Sequence, residues 1–274
     1  MSAREDEFTR FEHEGWQRVA DKYDSVWAQS TRQFIPHLLE AVAVGSGMSV
    51  LDVGAGPGYV SAAAAERGAI PTGLDFSKQM VSIAKKMFPQ IEFHEGDAQN
   101  LPFPDRTFDR VLANFALLHL SDPERACVEA CRVLKPGGKF GFTVWAEATD
   151  NPYAQLIDEA IKAHADLDVK LPSGPPYYLY KTKEEFREAM ERTGFDGSSM
   201  TYAIQRIDWV VPTAGFPFQA ELNAGVRTAG FLVAQPPEKR EAIRSAVEEK
   251  VKEYAKDNGF AIPKAAYVVA VAKR

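Results

Sequence analysis

The chain has 274 residues, 45% hydrophobic and 26% charged, with a formal net charge of −6. That length and composition provide one large or two modest domains with ample core. The acidic balance, with no basic run beyond Lys85-Lys86 and Lys273-Arg274, argues against a nucleic-acid partner, which needs a basic surface to neutralise phosphates. No apolar stretch of about 18 residues is present to span a membrane, and the polar, acidic residues 1–14 are not a signal peptide, so a cytoplasmic location is expected.

Residues 1–45 read as a helical cap, punctuated by Pro36 and Gly45 and carrying Phe8, Phe11, Trp16, Tyr23 and Trp27. Residues 46–147 then alternate strand and helix, the pattern of a doubly wound parallel sheet. The first strand, ending Val50-Leu51-Asp52-Val53, runs into Gly54, Gly56 and Gly58. Glycines there permit a tight strand-to-helix turn and close approach of backbone to a ligand. Tyr59 stands where a dinucleotide fingerprint wants its third glycine, and Asp52 disfavours an anionic ligand. A NAD-dependent oxidoreductase is therefore the weaker reading. A ligand carrying positive charge suits the turn, and S-adenosylmethionine (SAM), with its ammonium and sulfonium, is one.

A helix over 59–67 stops at Gly68, and a strand over 70–74 delivers Asp75. An acidic residue at the end of the second strand of a βαβ unit is placed for the two hydroxyls of a ribose. Asp75 or Ser77 could instead cap the helix that runs to Met87, Ser77 being the better cap. A third strand over 91–94 leads to Asp97. Its carboxylate can accept from an adenine amine while the next backbone N–H, of Ala98, donates to a ring nitrogen; an exposed turn is the alternative. Strand four spans Phe108–Asn114, with His119 just beyond it. A helix between Pro123 and Leu134 carries Cys127 and Cys131 on one face. No further ligands are spaced for zinc, so reduced thiols and no metal are expected. Pro136-Gly137-Gly138 then launches strand five over 139–145.

Residues 148–180 read as a long lid loop rich in Pro, Gly and Tyr. A short helix over 182–193 precedes strand six, over 199–207, and the last strand, over 265–272, pairs antiparallel with it. The intervening stretch, about 209–259, includes a charged amphipathic helix over 237–257 and is expected to cap the site. The fold class is thus α/β: a Rossmann-like, doubly wound, seven-stranded sheet with its last strand antiparallel, a helical N-terminal segment and a cap insertion. Residues 46–147 form the cofactor-binding core, and 148–274 supply the lid, the cap and the final two strands.

The segments Leu51-Asp52-Val53-Gly54-Ala55-Gly56-Pro57-Gly58, Gly73-Leu74-Asp75-Phe76-Ser77, Glu95-Gly96-Asp97-Ala98, Phe108-Asp109 and Arg132-Val133-Leu134-Lys135-Pro136-Gly137-Gly138 lie in one order and spacing. As a set over residues 46–145 they resemble the class I SAM-dependent methyltransferases, in the broad branch around the ubiquinone and menaquinone biosynthesis enzymes. Trp16-Gln17-Arg18-Val19-Ala20-Asp21-Lys22-Tyr23-Asp24 resembles the N-terminal segment of that branch, whose Tyr closes over the cofactor. The resemblance implies that residues 54–58 pack under the methionine part of SAM, with Asp75 on the ribose, Asp97 and Ala98 on the adenine, and Asn114 near the methionine end. The cofactor set is then Tyr23, Asp52, Gly54, Gly56, Gly58, Asp75, Phe76, Asp97, Ala98 and Asn114. The quinone enzymes usually carry a different segment where this chain has residues 114–122, so no quinone substrate is carried over.

The expected reaction is in-line methyl transfer to O or N of a small apolar or aromatic molecule; C-methylation and non-catalytic SAM binding are the alternatives. Tyr23 and Trp27 can form an aromatic rim at the sulfonium or be ordinary helix core. His119 is the best-placed histidine for a general base, with a structural role as its alternative. Trp27, His119, Trp145, Tyr177 and Tyr178 are the expected acceptor-pocket residues.

Overall fold

Two apolar rows alternate along each central strand, and they settle which helices cover which face. The computed structural model describes residues 3–274; Met1 and Ser2 of the expected N-terminal cap lie outside the described residues. Strands β1 (Ser49–Val53), β2 (Ile70–Asp75), β3 (Glu92–Glu95), β4 (Phe108–Asn114), β5 (Leu134–Trp145), β6 (Phe195–Val211), β7 (Ala255–Lys256) and β8 (Gly259–Lys273) form one sheet. Its order is β3-β2-β1-β4-β5-β8-β6, with β7 paired to β8 alone. The first five strands are parallel, and β8 is antiparallel to both β5 and β6. This is the expected Rossmann-like sheet, with β7 as a two-residue addition.

Among the described residues, eleven α-helices surround it: α1 (Ala3–Tyr23), α2 (Gln29–Thr31), α3 (Ile35–Ala41), α4 (Tyr59–Glu66), α5 (Lys78–Met87), α6 (Pro123–Val133), α7 (Pro152–His164), α8 (Lys183–Arg192), α9 (Phe216–Ala224), α10 (Arg227–Val233) and α11 (Pro237–Val251). Val50, Leu112, Val268 and Ala270 pack with α3 and α4 on one face. Leu51, Val111, Val269 and Val271, each one residue on or back, pack with α6 and α8 on the other. Ser77 caps α5, its side chain accepting from Met80 N, so the capping role falls to Ser77. Gln17 of α1 reinforces that end by accepting from Ser77 Oγ at 2.8 Å and Gln79 N at 2.9 Å.

Several boundaries differ from the sequence expectation. Strand five starts at Leu134 rather than 139, because Leu134 pairs with Phe108 before a bulge displaces the register to Arg110–Lys139. Residues 148–180 are not one loop. Asn151 accepts from Ala154 N and Pro152 occupies the first turn, so α7 fills the first half. Strands six and eight are longer than expected and stay paired from Thr201–Ala270 out to Val211–Phe260. This long ribbon carries the insertion: Trp209, Val211 and Ile262 at its far end join Phe218, Ile243, Val247 and Tyr153 in a separate core. The charged helix of the insertion ends at Val251.

Gly58 takes φ +91, and a Cβ there would lie 2.7 Å from Phe93 Cζ. Gly58→Ala is therefore expected to lose roughly 1–3 kcal/mol of stability from backbone strain and clash. A urea unfolding midpoint unchanged from the parent protein would contradict this.

Candidate active site

Ligands in open parallel sheets bind beyond the carboxyl ends of the strands. Here that edge opens into a cavity of about 740 Å³. Of the expected cofactor set, Tyr23, Gly54, Gly56, Asp75, Phe76, Asp97, Ala98 and Asn114 line it, as do the expected pocket residues Trp27, His119, Trp145, Tyr177 and Tyr178. Asp52 and Gly58 do not; both are buried behind the loop.

Asp52 is fully buried, and its Oδ2 accepts from Ser61 N at 3.0 Å and Ser61 Oγ at 2.7 Å. Burial pushes its carboxyl up to about 7, and Oδ1 has no hydrogen-bond partner. That orphaned oxygen, directly behind the glycine turn, is a standing demand for a donor or a positive charge. Asp75 shapes the turn from the next strand. Its Oδ2 accepts from Gly56 N and its Oδ1 from Ser77 N, both at 2.8 Å. Burial raises its carboxyl above the ordinary range, against the pull of those two bonds. Gly56 takes φ +52, and a Cβ there would point into open space, so the backbone itself forms this part of the cavity wall. Asp97 Oδ1 accepts from Gln99 N at 2.8 Å, and Gln99 Oε1 in turn accepts from Ser121 Oγ and Asp122 N.

Asn114 ties three segments together. Its Oδ1 accepts from Thr143 Oγ1 of β5 at 2.6 Å, and its Nδ2 donates to Thr31 O at 3.4 Å. The next residue, Phe115, takes φ +58 and stacks on Trp145 at 4.0 Å between ring centroids. A non-glycine residue in the left-handed region at a strand end is stored strain of the kind that accompanies functional sites. The N-terminal segment adds another irregularity. A π turn, Asp24–Ala28, interrupts the helix, and Tyr23, Trp27 and Thr31 around it all line the cavity. The Tyr23 hydroxyl pairs with Thr31 Oγ1 at 3.0 Å.

A buried carboxylate joins the segments beside the cavity. Glu12 of α1 is 0% exposed and accepts from Arg227 Nε at 2.8 Å, His119 Nδ1 at 3.0 Å and Trp16 Nε1 at 3.2 Å. Burial pushes its carboxyl up, but His119 and Arg227 outweigh that and hold it below the ordinary value. Arg227, opening α10, also donates to Pro175 O at 2.8 Å and to Leu118 O. One guanidinium thus joins the cap, the lid loop, the turn after β4 and α1. His119 serves this junction through Nδ1.

Sequence reasoning missed Glu12, Arg227 and a second cluster at the far end of the cavity. Lys264, 1% exposed, sits among four aromatic rings: Nζ lies 4.3 Å from the Trp145 centroid, 4.4 Å from Tyr153, 4.7 Å from Trp209 and 4.9 Å from Trp27. Beside it, Glu221 Oε1 accepts from the Tyr153 hydroxyl at 2.6 Å. Lys264, Glu221 and Tyr153 all line the cavity. A charged residue opening the apolar run Ala265-Ala266-Tyr267-Val268-Val269 was the available signal.

Comparison with known proteins follows the geometry. A family model described as a methyltransferase domain matches residues 51–142. The demethylmenaquinone methyltransferase of Renibacterium salmoninarum is 35% identical over 167 residues, covering 59% of this chain and 70% of that protein. Among solved structures, the YcgJ protein of Bacillus subtilis superposes with a TM-score of 0.57 at 19% identity, covering 88% of this chain and 98% of that one. Phosphoethanolamine N-methyltransferase 2 of Haemonchus contortus, solved with phosphomonomethylethanolamine and S-adenosylhomocysteine, gives 0.57 at 19% identity over 97% of this chain and 60% of that one.

Two stability outcomes follow from these carboxylates. Arg227→Met leaves Glu12 buried with only part of its compensation, an expected loss of about 3–5 kcal/mol read from urea unfolding; a loss within the ordinary surface range would contradict it. Asp52 has a folded-state pKa above its unfolded one, so its cost is absent at low pH. That cost grows as pH rises from the ordinary carboxylate range and levels off above about 7. In the unliganded protein, the stability of Asp52→Asn relative to the parent should therefore rise across that window. An unfolding difference that is the same on both sides of the window would overturn the assignment.

Proposed function

From the membership of this chain in the class I SAM-dependent methyltransferases, with SAM as cofactor, we propose that it methylates O or N of a small apolar or aromatic acceptor. One observation carries the reading. A single cavity joins a carboxylate-and-glycine edge, Gly56, Asp75 and Asp97, to an aromatic chamber formed by Trp27, Trp145, Tyr153 and Tyr178.

The residues present fit SAM. The open wall at Gly56 admits close approach of a ligand to the backbone. Asp75 would take the ribose hydroxyls, Asp97 and the Ala98 N–H the adenine, and Asn114 and Tyr23 would flank the methionine end. Phe76 lines the same nucleoside half, next to Asp75. When bound, SAM supplies a methyl group on a sulfonium, a leaving group already activated. The protein's part is then orientation, worth roughly 7–11 kcal/mol in favourable cases, and exclusion of water. The cap and the Glu12–Arg227 junction serve the second task.

The Glu12 carboxylate on Nδ1 orients the His119 ring and leaves Nε2 as its accepting nitrogen, an arrangement that serves a scaffold and a base alike. Its Nδ1 is committed to Glu12, and its field reaches Asp75, which sets it at the nucleoside half. A second reading, methylation of a ring carbon, is favoured by the similarity to the demethylmenaquinone methyltransferase. Locating the added methyl by NMR of the product separates the two.

Isothermal titration with SAM tests the proposal: saturable binding is expected, and its absence removes it. Asp75→Ala should weaken SAM binding by about ten- to a hundredfold, the worth of hydrogen bonds to a charged group. Unchanged affinity would remove the ribose assignment. Release of S-adenosylhomocysteine in the presence of a phenol and amine panel would set aside non-catalytic binding.

A further inference from the structure

Among the described residues Lys264 is the only buried lysine. It lies in β8 opposite Ile207 of β6, and its surroundings are unlike those of a structural ion pair. Its one hydrogen bond is long, to Ser30 Oγ at 3.4 Å. The Ser30 proton is already spent on Trp27 O at 3.0 Å, so that oxygen can only accept. No ion pair holds Nζ among the described residues. Glu221, the carboxyl whose field reaches it, is engaged by the Tyr153 hydroxyl.

Burial lowers the affinity of this amine for its proton, and Glu221 opposes that shift. The carboxyl of Glu221 is raised in turn, chiefly by burial. The groups facing the pair are Tyr153 and Asp158 of α7, Ser30 of α2, Tyr177 and Tyr178 of the lid loop, and Thr228 of α10. The four ring faces favour the ammonium once it forms. An amine that can be neutral, in a cage that tolerates its charged form, can both accept a proton and then hold an anion. The cage belongs to the acceptor half. Trp145 ends β5, two residues past Thr143, the register partner of Asn114, and stacks on the strained Phe115.

We propose that Lys264 is the acceptor-binding and proton-accepting group of this enzyme, and that the acceptor is a phenol or an enol whose acidic hydroxyl meets Nζ. This rests on the methyltransferase reading and narrows it. In the step, the acceptor O–H bond breaks and an N–H bond forms on Nζ. The electron pair stays on oxygen. The resulting ammonium is held by the rings and by Glu221 and faces the oxyanion, which is now the activated nucleophile. After product release the proton passes to solvent. His119 stands outside this ring cage, with its Nδ1 on Glu12.

The test uses the full chain loaded with S-adenosylhomocysteine and titrated with p-nitrophenol, whose phenolate absorbs visible light. The wild type should bind the probe as phenolate at a pH where the free probe is largely neutral. Lys264→Met should bind it as neutral phenol, at least about tenfold more weakly, with S-adenosylhomocysteine affinity by calorimetry unchanged. If the single variant fails to fold because Glu221 is left without its cation, the paired K264M/E221Q variant removes both charges and takes its place. Binding of neutral phenol by the wild type, no probe binding, or a variant indistinguishable from the wild type would each overturn the proposal. So would p-nitrobenzoate binding more tightly than p-nitrophenol, which would mark an ordinary anion site. Failure of S-adenosylhomocysteine to bind the wild type would instead remove the methyltransferase reading itself.

Discussion

A wholly buried carboxylate, Glu12, ties together the segments that wall the cavity. A parallel sheet exposes its ligand edge by construction, because the loops there leave the strands in one direction. Closing that edge requires segments from elsewhere in the chain. Here α1, the lid loop, the turn after β4 and the start of α10 meet around one Glu12–Arg227 pair. A buried ion pair is costly to desolvate and contributes little net stability by itself, but removing one partner is severe. Its place in the structure is therefore that of a registration device. The two charges and their satellites, His119 and Trp16, bring four segments to one point. Close packing follows the same route: a Cβ on Gly15 of α1 would lie 2.4 Å from Val226 Cγ1, just before α10.

The cavity has two chemically distinct halves. The half built on β1–β3 is made of backbone and carboxylates: Gly56, Asp75 and Asp97, with Asp52 behind. These groups are spaced by the sheet and cannot move independently. The other half is built on Trp145, Tyr153, Trp27 and Lys264, drawn from β5, α7, the π turn and β8. Asn114 stands at the border and ties β4, β5 and the N-terminal segment together. Such a division suits a reaction in which one ligand brings an activated group and the protein must orient and sequester the other. The strained Phe115 backbone and the π turn both fall on this border, where regular structure gives way to the geometry of the site.

The β6–β8 ribbon explains why one insertion can reach that border. Its pairing extends past the edge of the parallel strands, out to Val211–Phe260, so the cap has its own core on rigid antiparallel backbone. Trp209 belongs at once to that core and to the ring cage around Lys264. The cap core and the surroundings of the lysine thus share one side chain.

The sequence by itself determined the order of the main strands, the helices between the parallel ones and the strand-end positions of Asp75 and Asp97. Those features are local: Asp75 and Asp97 fall at strand ends, and a strand, a glycine turn and a helix in succession fix where each points. Ser77 as cap and the span Phe108–Asn114 were legible for the same reason. Helix α7 carried its own signal in Asn151-Pro152, masked by the Pro- and Tyr-rich stretch that follows. Only the tertiary structure decided the rest. Glu12 and Arg227 are 215 positions apart, and neither has a local pattern that predicts the other. Lys264 looked like the polar edge of a strand expected to begin one residue later. It became a caged amine only when the antiparallel ribbon proved longer and carried it under Trp145 and Trp209. Long-range packing places a charge inside or outside a core, and no spacing along the chain encodes that choice.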